Sequence, residues 1–137
     1  TKDLVGIFFE LENLGCHNIN LVTPTPYAPL LADAMGQARA RGLAIPFVYN
    51  TNAYETVETL EMLDGLVDIY LPDFKYWNDA MAVTLSSAPD YRLCASNAIS
   101  EMYRQGGMLT TQAGIATRGG RIRRTQSCEE SGLRVVP

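Results

Sequence analysis

Three short apolar runs, each followed by proline or polar residues, set the limits on what this chain can fold into. They start at residues 19, 45 and 67, spacings of 26 and 22. A hairpin turn does not fill such gaps, whereas a crossover helix between parallel strands does. Leu30, Leu31, Ala34, Met35 and Ala38 recur at helical spacing in the first gap, with Gly42 behind them. Val57, Leu60 and Leu63 do so in the second, closed by Asp64-Gly65. Strand–helix–strand crossovers are right-handed almost without exception. The pattern therefore predicts an α/β fold of consecutive β–α units around a parallel sheet, with strands over residues 19–23, 45–49 and 67–71.

The flanks extend this frame. Leu4, Ile7, Phe8, Leu11 and Leu14 mark an amphipathic helix over residues 2–14, stopped by Gly15. Beyond Trp77 the pattern weakens. A short helix is expected over residues 79–85. A longer one is expected after Asp90, with Tyr91, Cys94, Ala98 and Met102 on one face and Gly106-Gly107 at its end. Residues 108–115 suit a strand or a loop, and from Arg118 onward no element is assigned. Residues 1–117 hold six Lys/Arg and thirteen Asp/Glu, whereas residues 118–137 hold five Arg and two Glu. The basic segment 120–137, with few apolar residues, is expected to pack weakly.

Composition narrows the function classes. With 47% hydrophobic and 19% charged residues the chain can build a core, and its net charge of -4 suggests neither a nucleic-acid nor a membrane partner. Cys16, Cys94 and Cys128 are odd in number and widely spaced, so no disulfide framework or zinc motif is expected. Cys16 and Cys94 read as small buried residues, and His17, ahead of the first strand, as structural. A reducing, cytoplasmic setting is the expectation. The absence of an initiator Met suggests a processed or partial product.

In parallel α/β folds ligands bind beyond the carboxyl ends of the strands. Those ends here read Thr23-Pro24-Thr25-Pro26, Asn50-Thr51-Asn52 and Pro72-Asp73-Phe74-Lys75-Tyr76. Thr23 and Thr25 suit hydrogen bonds to a ligand, or caps for the helix that follows. Asn50, Thr51 and Asn52 are equally turn or N-cap residues. Asp73 and Lys75, two apart in extended chain, point the same way. Together they suit a zwitterion such as an amino acid, or a salt bridge to each other.

These same segments resemble a known family. Gly15-Cys16-His17-Asn18-Ile19-Asn20-Leu21-Val22-Thr23-Pro24-Thr25 is similar to a stretch of radical S-adenosylmethionine (SAM) proteins related to pyruvate formate-lyase activating enzyme. So are Tyr49-Asn50-Thr51-Asn52-Ala53-Tyr54-Glu55 and Leu63-Asp64-Gly65-Leu66-Val67-Asp68-Ile69-Tyr70-Leu71-Pro72-Asp73-Phe74-Lys75-Tyr76. Ala88-Pro89-Asp90-Tyr91 and Glu101-Met102-Tyr103-Arg104-Gln105-Gly106 follow in order, so the likeness covers residues 2–119.

The resemblance implies a partial (β/α) barrel over residues 1–119 that binds SAM beside a [4Fe–4S] cluster. Reductive cleavage of SAM there yields a 5′-deoxyadenosyl radical. It also implies an electron donor and, as partner, a glycyl-radical-type protein substrate. Its SAM positions fall at Thr23 and Thr25, in place of a Gly-Gly-Glu motif, and at Asn50, Thr51 and Asn52, in place of an Asp-Thr-Asn-Gly turn. They also fall at Asp73 and Lys75, which match Asp-x-Lys. The cluster-holding C-x-x-x-C-x-x-C is not in this sequence, so no cluster is expected on this chain alone. Two other readings are a non-catalytic binding module for a SAM-like zwitterion and a remnant without function.

Overall fold

The computed structural model describes residues 1–124. The element order is α1 (Lys2–Asn13), β1 (Ile19–Val22), a 3-10 turn (Thr25–Tyr27), α2 (Ala28–Ala40), β2 (Phe47–Thr51), α3 (Val57–Glu61), β3 (Ile69–Phe74), α4 (Asp79–Ser86), α5 (Tyr91–Gly106), β4 (Thr110–Gln112), β5 (Ile115–Gly120) and β6 (Arg123–Arg124). The α/β class read from the sequence is what the chain adopts. Strands lie in the order β1-β2-β3-β5-β4, with β6 on β3 beyond the end of β5. All pairings are parallel except the β4–β5 hairpin. Because the parallel strands follow chain order, right-handed crossovers place their helices on one face of the sheet.

Alternation along the strands sorts the two faces. Ile19 stands opposite Phe47, Leu21 opposite Tyr49, and Tyr49 opposite Tyr70. These side chains form the core with Val5 and Phe8 of α1, Leu31, Ala34, Met35 and Ala38 of α2, and Ala98 and Met102 of α5. On the other face lie Asn20, Val22, Val48, Asn50, Ile69, Leu71 and Asp73. Val48 and Ile69 are buried there, but Val22 is 67% exposed and Asn50, Leu71 and Asp73 are half-buried. That open face leads to the carboxyl rim.

Local chemistry explains where the elements stop. Gly15, at φ +80°, closes α1, and Pro29 starts α2 within its first turn. The Thr56 hydroxyl caps α3 by accepting from Thr59 N at 3.2 Å. Asp90 occupies the N-cap position of α5, yet its side chain makes no cap bond there. Asp79 serves instead, its Oδ1 accepting from Arg92 N at 2.9 Å. Residues 108–115 hold both a strand and a tight turn, with Ala113 and Gly114 at φ +51° and +81° between β4 and β5.

Three expectations are corrected. The second and third strands begin and end later than their apolar runs suggest. Asn50 and Thr51 belong to β2, where Val22 pairs with Asn50 and Thr51 with Pro72. Pairing on both sides, with Val22 and Leu71, outweighs the turn preference of Asn50, and Thr51, a good strand former, extends the ladder against β3. Pro72 does not stop β3. It falls where the next ladder is interrupted, between the Tyr70–Gly120 and Asp73–Arg123 pairs, so its missing N–H is tolerated. Residues 120–121 of the basic segment reach the sheet through backbone bonds, while residues 121–124 stay exposed. Gly120 N donates to Gly107 O at 3.0 Å and Arg121 N to Tyr70 O at 3.0 Å. Residues 125–137 of the basic segment lie outside the described residues. Cys16 and Cys94 are half-buried rather than buried, Cys128 is outside the described residues, and His17 is exposed.

Candidate functional site at the carboxyl rim

The rim is built on the ends of β1, β2 and β3. Asn50 and Asp73 both project from the open face, because Asn50 pairs with Leu71 and Asp73 lies two residues further on. Arg123 joins them from β6, directly in register with Asp73. Its Nε donates to Asp73 Oδ1 at 2.6 Å, and its Nη2 to Asp73 Oδ2 at 3.1 Å and Asn50 Oδ1 at 3.0 Å. Lys75 Nζ stands 3.8 Å from Asp73 Oδ2. One carboxylate thus faces two cations, and the sequence pair Asp73–Lys75 is part of a wider cluster.

The remaining rim residues divide. Thr23 N donates to Asn50 O at 2.9 Å, and the residue is exposed with φ +51°. Asn52 is exposed, and its Oδ1 accepts from Tyr54 N at 2.9 Å in an Asx turn. Thr25 and Thr51 turn the other way, onto Glu55. Thr25 Oγ1 donates to Glu55 Oε1 at 2.5 Å, Thr51 Oγ1 donates to the same oxygen, and Tyr49 OH lies 3.3 Å from it. Thr51 lies on the face of Tyr49, so strand alternation sends its hydroxyl under the rim rather than over it. Ala53 holds φ +65°, in the region that favours glycine, which is the residue the resemblance expects at this place.

Two residues without a role in the sequence reading hold this rim together. Tyr91, buried at the start of α5, accepts from Lys75 N at 2.8 Å and lies 2.7 Å from Asn52 O and 3.0 Å from Asp73 O. It thereby binds the ends of β2 and β3 to one helix. Its ring stacks on Tyr54 at 5.8 Å and meets Phe74 and Tyr76 edge-on at 5.8 and 5.3 Å. Glu55 is the other. It is 4% exposed, and among the described residues nothing bonds its Oε2. Burial raises its pKa above the ordinary 4.5, against the pull of the Thr25, Thr51 and Tyr49 hydroxyls.

Glu55 makes stability pH-dependent. Its carboxyl binds a proton more tightly in the folded state than in the unfolded one. Its contribution is therefore most favourable below pH 4.5 and declines as pH rises through the raised folded value. Glu101 runs in the opposite sense. Hydrogen bonds from Arg104 and Gln105 hold it down to about 2, so its contribution is present above pH 4.5 and lost as pH falls toward 2. Glu55→Gln, which mimics the neutral acid, is expected to flatten the fall in melting temperature as pH rises above 4.5. An unchanged pH slope in that variant would assign the fall to other groups.

The described residues do not fit an iron–sulfur cluster. Cys16 lies between α1 and β1 and Cys94 on α5, and no three His, Cys, Asp or Glu side chains gather as a metal site needs. Among the described residues no helix is long and apolar enough to cross a membrane. A groove of about 740 Å³ opens on the helix side of the sheet, between α5 and residues 120–122, lined by Tyr70, Met102, Tyr103, Met108 and Ile122. It is largely apolar and lacks the converging charges of the rim.

No family model matches the chain, and no solved structure matches it. It is similar to an uncharacterized protein of Methanocaldococcus jannaschii, 37% identical over 76 residues, which are 54% of this chain and 22% of the relative. The chain thus matches about a fifth of that relative's length.

Proposed function

We propose that this chain is the SAM-binding β/α segment of a radical SAM protein, forming part of a (β/α) barrel whose inner wall is the open face of the sheet. The observation that carries this reading is the convergence of Asn50, Asp73 and Lys75 at the carboxyl rim of a singly wound parallel sheet. SAM offers a carboxylate, an ammonium and a sulfonium. A rim with one carboxylate, one amide and two cations supplies a partner for each sign of charge. The order of the matched segments from residue 2 to residue 119 adds the family likeness. SAM cleavage in this reading relies on a [4Fe–4S] cluster held by residues other than those described, and on an electron donor. A glycyl-radical-type protein is the proposed partner.

Titration calorimetry of the chain with SAM tests the site. Charge-assisted hydrogen bonds contribute about 1.5–3 kcal/mol each. Asp73→Ala and Lys75→Ala are therefore expected to weaken binding by about 10- to 100-fold. Asp33→Ala is the control, since among the described residues Asp33 bonds only Gln37, on the exposed side of α2. Asp79 is unsuitable for that purpose because it supports the start of α5. Site variants that bind SAM as the control does would reduce Asp73 and Lys75 to a structural ion pair.

A further inference from the structure

A buried carboxyl lies under the rim, apart from the charge cluster. Glu55 is 4% exposed, and its Oε1 joins the ends of two strands. Thr25 Oγ1 donates to it at 2.5 Å from the turn after β1, Thr51 Oγ1 donates from the end of β2, and Tyr49 OH lies 3.3 Å away. Tyr49 is the titratable group in contact with it, and no charged side chain of the turn, α2 or α3 acts on it. Its Oε2 has no partner among the described residues. A neutral carboxyl fits such a place, whereas a charged one leaves part of its charge unpaired in the interior.

The two segments that meet on Glu55 are unequally anchored. Residues 52–55 are fastened elsewhere as well, since Tyr91 OH lies 2.7 Å from Asn52 O and Tyr54 OH donates to Pro89 O at 2.8 Å. The Thr25–Tyr27 turn is not. Among the described residues its one side-chain hydrogen bond is that from Thr25 to Glu55, and Tyr27 is 63% exposed. Strained backbone flanks the contact on both sides. Thr23 at φ +51° and Ala53 at φ +65° are non-glycine residues in the left-handed region. Such residues persist where their surroundings hold them, and they gather at switch regions.

We propose that Glu55 is a proton-operated latch: its neutral carboxyl fixes the Thr25–Tyr27 turn to the end of β2, and loss of its proton frees that turn from the rim. The turn moves because it has the fewer anchors, and its release gives Oε2 access to water. Thr23 and Thr25 are positions that the family likeness assigns to SAM, so the latch sets where they stand. It goes beyond that reading and does not depend on it.

NMR of the intact chain tests the latch without any ligand. The Glu55 carboxyl carbon follows its titration, and hydrogen exchange follows the bonds from Thr23 N to Asn50 O and from Tyr27 N to Pro24 O. Protection of these two amides is expected to fall about 10-fold as Glu55 loses its proton, while Ala34 in α2 keeps its protection. Glu55→Gln retains an acceptor for Thr25 without the charge and is expected to keep the turn protected throughout. Thr25→Val removes the hydroxyl alone and is expected to leave the turn open throughout. Should either variant fail to fold, the coincidence of the two events in the intact chain still decides. Turn protection that does not follow the Glu55 carbon overturns the latch. A fall shared by Ala34 also overturns it, because the whole fold would then be opening. So does a full pH-dependent fall in Glu55→Gln, which would place the titration elsewhere.

Discussion

Gly119→Ala is expected to destabilise the protein by about 3 kcal/mol or more, through overpacking added to backbone strain. Gly119 is buried with φ +101°, and a Cβ there would lie 2.1 Å from Met108 O, 2.4 Å from Met108 C and 2.7 Å from Leu109 Cα. All three are backbone atoms, so no side chain can rotate away. Relief would require β5 to move off β3, with loss of the Gly119 N–Asp68 O and Arg121 N–Tyr70 O bonds. Gly36→Ala is the contrast. It sits in α2 with nothing within 4 Å of the added methyl and is expected to be neutral or stabilising by up to about 1 kcal/mol. Urea denaturation of both variants measures the difference. A Gly119→Ala protein within about 1 kcal/mol of the parent would show that the strand junction yields easily.

Tyr91 separates two effects of comparable size. Tyr91→Phe keeps the ring among Tyr54, Phe74 and Tyr76 but removes the hydroxyl between Lys75 N and the Asn52 and Asp73 carbonyls. Taking one partner from these backbone groups costs about 1–3 kcal/mol. Tyr91→Ala adds the loss of the buried ring, bringing the total to about 3–5 kcal/mol. Equal stability of the Phe variant and the parent would mean that the hydroxyl does not hold the rim. Equal loss in both variants would mean that the ring contributes nothing beyond it.

The β–α order was legible because helix and strand periodicities alternate cleanly as far as Phe74. Its boundaries were less so. Asn50 and Pro72 have low strand preference, yet they sit between paired neighbours, and only the ladder partners reveal that. The rim was legible in part. Asp73 and Lys75 were found from period-two spacing, and Asn50 from its place after an apolar run. Thr25 and Thr51 were named with them, but the hydroxyls turn to Glu55, a partner 30 and 4 residues away that no local pattern specifies. Tyr91 was visible only as an apolar position on a helix. Its hydroxyl contacts span 16, 39 and 18 residues. Arg123 stood in a stretch where the charge balance shifts and no element could be assigned.

The position of Arg123 sets an order of assembly during synthesis. Asn50 and Asp73 precede it by 73 and 50 residues, so β1, β2 and β3 emerge from the ribosome well before it. Domains generally form from the amino-terminal side as the chain grows, and such distant pairings are slow to close. During that interval the Asp73 carboxylate meets only Lys75 and solvent cations. The rim therefore acquires its final polarity late, when β6 docks: ahead of residue 123 the Asp73 and Lys75 charges offset each other, and Arg123 brings a further cation to the same carboxylate.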